Sequence, residues 1–344
     1  MKKASKQRTI KIEKRRVTVT DVAQLAHVGT STVSRFLRGI QVRPKVAERV
    51  ARAVKELAYK PDEFARALRS GRSRTIGLIL PKVSNFFFSQ SVQLIEEEAR
   101  QRGCTVVLLT HGDRLEQQLE DLATLRRYRA DGVILTAAPG TNVRSIRSAF
   151  HDAPVVAFDG YISSSIDSVL LNNRESARKA TEHLLGHGYA NIACVTGRPE
   201  IYSFQERMAG YTEAMSARTL PPRLITAPDY EQLYSLLAEA LQGKDRPDAL
   251  LSLSDFSTRN ILTIYQRLGL KSAEHLPLLA FDDIDYAPLV NPSLTVIRQP
   301  IAEMVRNALS LLFSRIEETA PKKISTVFLP GELIRRRSCG CVES

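Results

Sequence analysis

Residues 18–37 read Thr18-Val-Thr-Asp-Val-Ala-Gln-Leu-Ala-His-Val-Gly-Thr-Ser-Thr-Val-Ser-Arg-Phe-Leu37. The opening Thr18-Val-Thr-Asp21 has the form of a capping box, in which a hydroxyl accepts an amide hydrogen bond and an acidic group three residues on reaches back. Behind it, Val22, Ala23, Leu25 and Ala26 make an apolar stripe over two helical turns. His27-Val28-Gly29 interrupts the pattern, and Thr30–Leu37 resumes it with Val33, Phe36 and Leu37 on the inner face and Thr30, Ser31, Ser34 and Arg35 outside. A third helix is expected to carry Val46, Val50, Val54 and Leu57 inward, at spacings of three and four. Three short helices, the second following a tight turn and dressed with hydroxyls and a guanidinium, describe a helix-turn-helix. Such a helix enters the major groove by its N-terminal end, where these side chains reach base edges and phosphates.

The charge distribution points the same way. The chain of 344 residues has a formal net charge of +12. Residues 1–74 hold 20 Lys/Arg against 6 Asp/Glu, whereas the remaining 270 hold 29 against 31. The whole excess of positive charge therefore lies in the first fifth of the chain, as suits a polyphosphate partner whose counterions are released on binding. Residues 1–16 alone read as a flexible, solvated basic tail; residues 17–60 form the headpiece.

This stretch resembles the headpiece of the LacI/GalR family of transcription regulators, whose pattern is D-V-A-x-x-A-G-V-S-x-x-T-V-S-R-x-L. His27 replaces the usual turn glycine, and His is among the residues enriched at positive φ. Gly29 replaces the usual serine at the N-cap of the recognition helix. The resemblance implies that Thr30 and Ser31 choose bases and that Arg35 reaches a base or a phosphate, with Thr18, Thr20, Thr32 and Ser34 completing the DNA-facing set. It also implies a hinge over residues 61–74. The short Pro-started segment through Arg66 and Leu68 is too brief to be helical alone, and in the family two such helices pair in the minor groove with a leucine wedged into the central base step. Leu68 occupies that position. Without the flanking motifs it reads equally as a linker residue packed on the body.

From Thr75 onward strand-like runs alternate with amphipathic stretches. The runs are Thr75–Leu80, Thr105–Thr110, Gly132–Thr136 and Pro154–Asp159, then Asn191–Thr196, Ala249–Leu253 and Leu276–Phe281. Near-continuous apolar strands separated by helices indicate parallel sheets covered on both faces. The expected fold is thus an all-α headpiece and hinge followed by an α/β body over residues 75–338, similar to periplasmic binding proteins, with two doubly wound subdomains. The first comprises about 75–171 plus 299–324, the second about 172–298 plus 325–338. Ligand binds such sheets at the carboxyl ends of their strands.

Family motifs in the body include Asn85-Phe-Phe-Phe88, Asn172-Asn, Glu206-Arg-Met-Ala-Gly-Tyr211 and Ala280-Phe-Asp-Asp283. Carried over by position, they give Phe87 and Phe88 as a wall of an effector cleft and Arg207 and Asp282 as its charged pair, with Asp159, Ser203 and Ser254 nearby. Carboxylates and a guanidinium suit vicinal hydroxyls or an acid group, and aromatic faces suit a sugar's CH surface. At least one of Phe86, Phe87 and Phe88 is expected in the core, and Asp282 or Asp283 is equally suited to capping. Asn172 stands where the family often has aspartate.

No nucleophile elbow, P-loop or zinc-protease motif occurs, so neither an enzyme nor a cofactor is expected. The six histidines, His27, His111, His151, His183, His187 and His275, are scattered. Cys339-Gly-Cys341 has no second pair, so no metal ligands are assigned and a free tail is the simpler reading. Four cysteines fit a reduced, cytoplasmic setting, and no apolar run reaches the roughly 18 residues that span a bilayer. The function expected is a homodimeric, sequence-specific repressor of carbohydrate or sugar-acid genes. It would bind a pseudo-palindromic double-stranded operator and leave it on binding a sugar, sugar acid or sugar phosphate. An exported or transport-associated sugar-binding protein shares such a body but has no use for the basic headpiece.

Overall fold

The computed structural model describes residues 17–37, 39–59, 72–151, 153–270, 275–321 and 323–341. The basic segment 1–16 and the hinge residues Arg66 and Leu68 lie outside them. The chain forms two units, Met1–Ser73 and Arg74–Ser344.

In the first unit, α1 (Val19–Leu25), α2 (Thr30–Leu37) and α3 (Pro44–Glu56) enclose a small core of Val22, Ala23, Ala26, Val33, Val50, Ala53 and Tyr59. The capping box forms: the Asp21 amide donates to Thr18 Oγ1 at 3.4 Å, and the Thr18 amide donates to the Asp21 carboxylate at 2.7 Å. His27 takes φ +51°, the left-handed turn that its pattern position requires. One expectation fails. Leu25 is 40% exposed, because at 100° per residue it lies about 110° from the centre of the face shared by Val22, Ala23 and Ala26. Pro44 opens α3 with a φ already set for the helix.

The second unit begins with β1 (Thr75–Leu80), α4 (Phe86–Gln101), β2 (Thr105–Thr110), α5 (Leu115–Arg127), β3 (Gly132–Leu135), α6 (Val143–Ala149), β4 (Val155–Phe158) and β5 (Asp167–Leu171). It continues with α7 (Asn173–Gly186), β6 (Ile192–Thr196), α8 (Tyr202–Ala217), β7 (Arg223–Thr226), α9 (Tyr230–Gln242), β8 (Ala249–Ser252), α10 (Asp255–Arg267), β9 (Leu278–Phe281) and β10 (Thr295–Arg298). The last elements are α11 (Ile301–Ile316), β11 (Thr326–Leu329) and β12 (Glu332–Ile334). Two six-stranded sheets result, in the orders β11-β5-β4-β3-β1-β2 and β12-β10-β9-β8-β6-β7. The pairings are parallel except β10 with β12. Central strands such as β3, β5 and β6 are buried along their whole length, since helices cover both sheet faces.

The chain crosses between the sheets after β5, returns after β10, and crosses again after β11. The last crossing falls later than the sequence suggested: residues 326–329 pair with β5 in the first sheet, Val327 opposite Val169. Thus 325 is not the boundary of the second subdomain. The stretch that holds Cys339-Gly-Cys341 is not a free tail either. Leu278 and Thr295 donate their amides to the carbonyl and hydroxyl of Ser338, at 2.7 and 2.8 Å, and Cys339 is fully buried.

Helices α7 and α8 cross at Gly210, where an added Cβ would lie 2.0 Å from the backbone oxygen of Arg174. Backbone cannot yield as a side chain can, so Gly210→Ala must push the helices apart. We expect it to cost about 1–3 kcal/mol, read as a lower denaturant midpoint at unchanged slope; an unaltered midpoint would show that the crossing relaxes freely.

Candidate functional site

In the first unit α2 presents Thr30, Ser31 and Arg35 to solvent, with Thr32 and Ser34 half-buried beside them. Gly29 supplies no side chain to the helix start, and its carbonyl accepts the Thr32 amide at 2.9 Å. Arg35 makes a long hydrogen bond of 3.4 Å to the Gln41 carbonyl and otherwise lies at the surface. Arg43, Lys45, Arg49, Arg52 and Lys55 are also exposed, so the same small unit offers both cations and short hydroxyls to solvent. Thr20 is exposed, and Thr18, also exposed, donates its hydroxyl to Asp21 at 2.7 Å. This arrangement of charge and short polar groups can neutralise phosphates and donate to base edges.

In the second unit a cavity of about 350 Å³ opens between the carboxyl ends of the two sheets. Asp159 follows β4 and Asp282 follows β9, each at positive φ, +57° and +75°. Aspartate tolerates that conformation better than most residues, and it turns both carboxyls into the interior. Arg207, on α8, is 2% exposed. Its guanidinium donates to Asn173 Oδ1 at 2.7 Å and to the Leu253 carbonyl at 2.6 Å, and lies 4.1 Å from the centre of the Phe281 ring. The Gly210 crossing brings α7 close enough for the Asn173 bond. Asp282 accepts from Gln299 at 2.6 Å and from the Asp255 amide at 3.2 Å. It therefore serves the start of α10, not the segment that follows it, while Asp283 pairs with Arg298 and Arg336 at 2.6 and 2.8 Å.

Burial raises the carboxyl of Asp159 to about 7, against the lowering pull of Arg207 and with the help of Asp282. Burial also raises Asp282, again against Arg207, and lowers Arg207 itself. Two buried carboxyls thus lie in the field of a guanidinium that bonds elsewhere, and Oδ1 of Asp159 has no hydrogen-bond partner. A buried polar atom in that condition is costly unless a ligand or water supplies the bond.

Of the residues inferred from sequence, Phe88, Asp159, Ser203 and Ser254 line the cavity. Arg207 and Asp282 are buried and act on Asp159 electrostatically. Ser254 also caps α10, accepting the Ser257 amide at 3.2 Å. Phe87 is not a wall: it is 3% exposed and stacks on Phe158 with centroids 5.6 Å apart, inside the first core. Consecutive helical residues diverge by 100°, so Phe87 and Phe88 cannot both face the cavity squarely.

Sequence reading missed the cleft mouth. Arg198, after β6, pairs with Asp113, after β2, at 2.8 Å. Lys82 lies 5.5 Å from the centre of the Phe256 ring, and the rings of Tyr161 and Tyr202 are 5.9 Å apart. Each contact joins a residue beyond a strand of one sheet to a residue beyond a strand of the other. Position just past a strand's carboxyl end is the signal that could have found them.

A helix-turn-helix unit followed by a two-sheet body with a buried charged cleft defines a ligand-responsive DNA-binding regulator. The comparisons agree. The profile of the lacI family of bacterial regulatory proteins matches residues 18–62, and that of the periplasmic binding protein-like domain matches residues 181–339. The HTH-type transcriptional repressor PurR of Vibrio vulnificus (strain CMCP6) is 32% identical over 308 residues, covering 88% of this chain and 92% of that protein. The ribose operon repressor of Halalkalibacterium halodurans is 30% identical over 325 residues, covering 93% and 96%. Among solved structures, the lac repressor dimer bound to operator and the anti-inducer ONPF superposes with a TM-score of 0.83 at 23% identity, covering 94% of this chain and 99% of that one. A complex of the transcriptional regulator CelR with cellobiose gives 0.66 at 27% identity, covering 94% and 100%.

The chain belongs to the lacI family of bacterial regulatory proteins. It is a DNA-binding transcriptional repressor and not an enzyme. Among the described residues no helix is long and apolar enough to cross a membrane.

Proposed function

We propose that the protein is a cytoplasmic homodimer that holds a pseudo-palindromic operator through Thr30, Ser31 and Arg35 and releases it when a sugar or sugar acid enters the cleft. A two-fold protein demands two half-sites. The reading rests most heavily on the unpartnered Oδ1 of Asp159 beside Arg207 and Asp282. This is a buried acceptor set among Phe88, Tyr161, Tyr202, Phe204 and Phe256, as vicinal hydroxyls on an apolar ring face require. Family resemblance adds Leu68 as the minor-groove wedge and Arg66 beside it. Ligand that favours the arrangement with the hinges apart lowers DNA affinity by population shift.

The protonation of Asp159 tells the ligand's chemistry. If a neutral sugar donates a hydroxyl to the carboxylate, binding lowers the carboxyl from about 7 and expels a proton. Affinity then rises with pH up to about 7 and levels off above it. An effector carboxylate that accepts from protonated Asp159 gives the opposite sign, with affinity falling as pH rises beyond 7. Calorimetry in buffers of different ionisation enthalpy checks either case, and Asp159→Asn should flatten both profiles. A panel of sugars, sugar acids and purines, scored for release of a fluorescent operator duplex, tests the function itself. Release by purines alone, or by none of the panel, would overturn the carbohydrate assignment.

A further inference from the structure

The terminal Cys339-Gly-Cys341 lacks a second ligand pair in its own stretch of sequence, but the fold supplies one. His183 and His187 stand four residues apart at the end of α7, so their side chains share a face. The tail returns beneath them. His183 Nε2 lies 3.3 Å from the sulfur of Cys339 and 3.4 Å from that of Cys341. His187 Nε2 lies 3.3 Å from the Cys341 sulfur, and the two sulfurs, both free thiols, are 3.3 Å apart. All four ligand atoms fall within 4.8 Å of one another.

Those separations have a geometric meaning. A tetrahedral ion with sulfur at about 2.3 Å and nitrogen at about 2.0–2.1 Å has ligand–ligand edges of about 3.3–3.8 Å. Four of the six edges are already that short. We propose that His183, His187, Cys339 and Cys341 form a closed site for zinc. Two thiolates and two neutral imidazoles balance the charge of a divalent ion once both thiol protons have left to solvent. With four protein ligands no position remains open, so the site is structural and not catalytic.

The surroundings hold the ligands in place. The Tyr189 hydroxyl donates to the Cys339 carbonyl at 3.2 Å, and Thr295 Oγ1 lies 3.0 Å from the Cys339 sulfur. Gly340 takes φ +91°, and an added Cβ there would sit 2.5 Å from the Tyr189 oxygen. The intervening residue is therefore glycine for both conformation and space, and the two sulfurs point the same way. His187 is exposed, which gives the ion an entry path. The ion would fasten the chain's end to α7, whose opposite end carries the Asn173 that orients Arg207.

The test uses the full chain, stripped with chelator and titrated with zinc or cobalt alone. Expected are about one zinc per chain by plasma mass spectrometry, tetrahedral cobalt bands with a thiolate charge-transfer band, and a rise of several degrees in thermal midpoint with zinc. Cys341→Ser should weaken zinc at least tenfold and diminish the charge-transfer band. His187→Gln, at an exposed position, should weaken zinc at least tenfold while keeping that band. Unchanged circular dichroism in both variants separates loss of ligand from loss of fold, and His187→Gln alone suffices should Cys341→Ser misfold. Substoichiometric zinc without a cobalt spectrum, equal affinity in His187→Gln, or two instead of four thiols in the unfolded, unreduced chain would each overturn the site.

Discussion

Replacing Arg207 with alanine is expected to cost the body about 3–5 kcal/mol, because it leaves the buried Asn173 Oδ1 and Leu253 carbonyl without their donor and removes a cation from the field of two buried carboxyls. With Arg207 present, burial already holds Asp159 near 7 and Asp282 above the usual carboxylate range. Removing the guanidinium takes away the influence that lowers both, so both rise further. A carboxyl raised on folding makes the protein less stable as pH climbs from its unfolded toward its folded value. The loss in Arg207→Ala should accordingly be larger at pH 8 than at pH 5, measured by chemical denaturation at each. A second change, Asp159→Asn, removes one of the stranded charges and should restore part of the stability at pH 8 with little effect at pH 5. A loss of equal size at both pH values, with no rescue, would mean that Arg207 acts through its hydrogen bonds to Asn173 and Leu253 and its packing on Phe281, and not through the carboxyls.

The other large effect belongs to the headpiece. Arg35→Ala should weaken operator binding by about 5- to 150-fold if the guanidinium makes a bidentate base contact. Effector affinity should stay constant, because the cavity lies in the other folding unit. Fluorescence anisotropy with operator and random duplex, each across a salt series, separates the possible roles. Loss confined to operator marks a base contact; equal loss on both duplexes, with the salt slope reduced by about one, marks a phosphate contact. Unchanged affinity for both would remove Arg35 from the interface.

The headpiece was legible because its signals are local: a cap three residues long, a turn, and apolar positions three and four apart. Even there, Leu25 escaped, since helix period fixes a face only to within the width of the core it meets. The long strands of the body were equally plain. The strands β5, β7, β10, β11 and β12 were not; β7, β11 and β12 lie at sheet edges and carry exposed positions that break up the apolar run. What sequence lacks most is convergence. Asp113 and Arg198 are 85 residues apart along the chain, and no local pattern marks them as a pair. Likewise Cys339-Gly-Cys341 looked incomplete because its neighbours in space, His183 and His187, are more than 150 residues away. Phe87 shows the converse limit: its residue type was right for a cavity, and only its direction on α4 was wrong.

The interleaving of the chain has a consequence for biosynthesis. The strand that flanks Asp167–Leu171 on its outer side is Thr326–Leu329, so the ribosome translates the whole second sheet except its last short strand before the first can be completed. Until then the edge is β5, an apolar strand buried along its whole length in the finished protein, and an exposed apolar edge is the kind on which strands of other molecules add. A polypeptide released early would carry a finished DNA reader on an unfinished lobe, a substrate for proteases or chaperones.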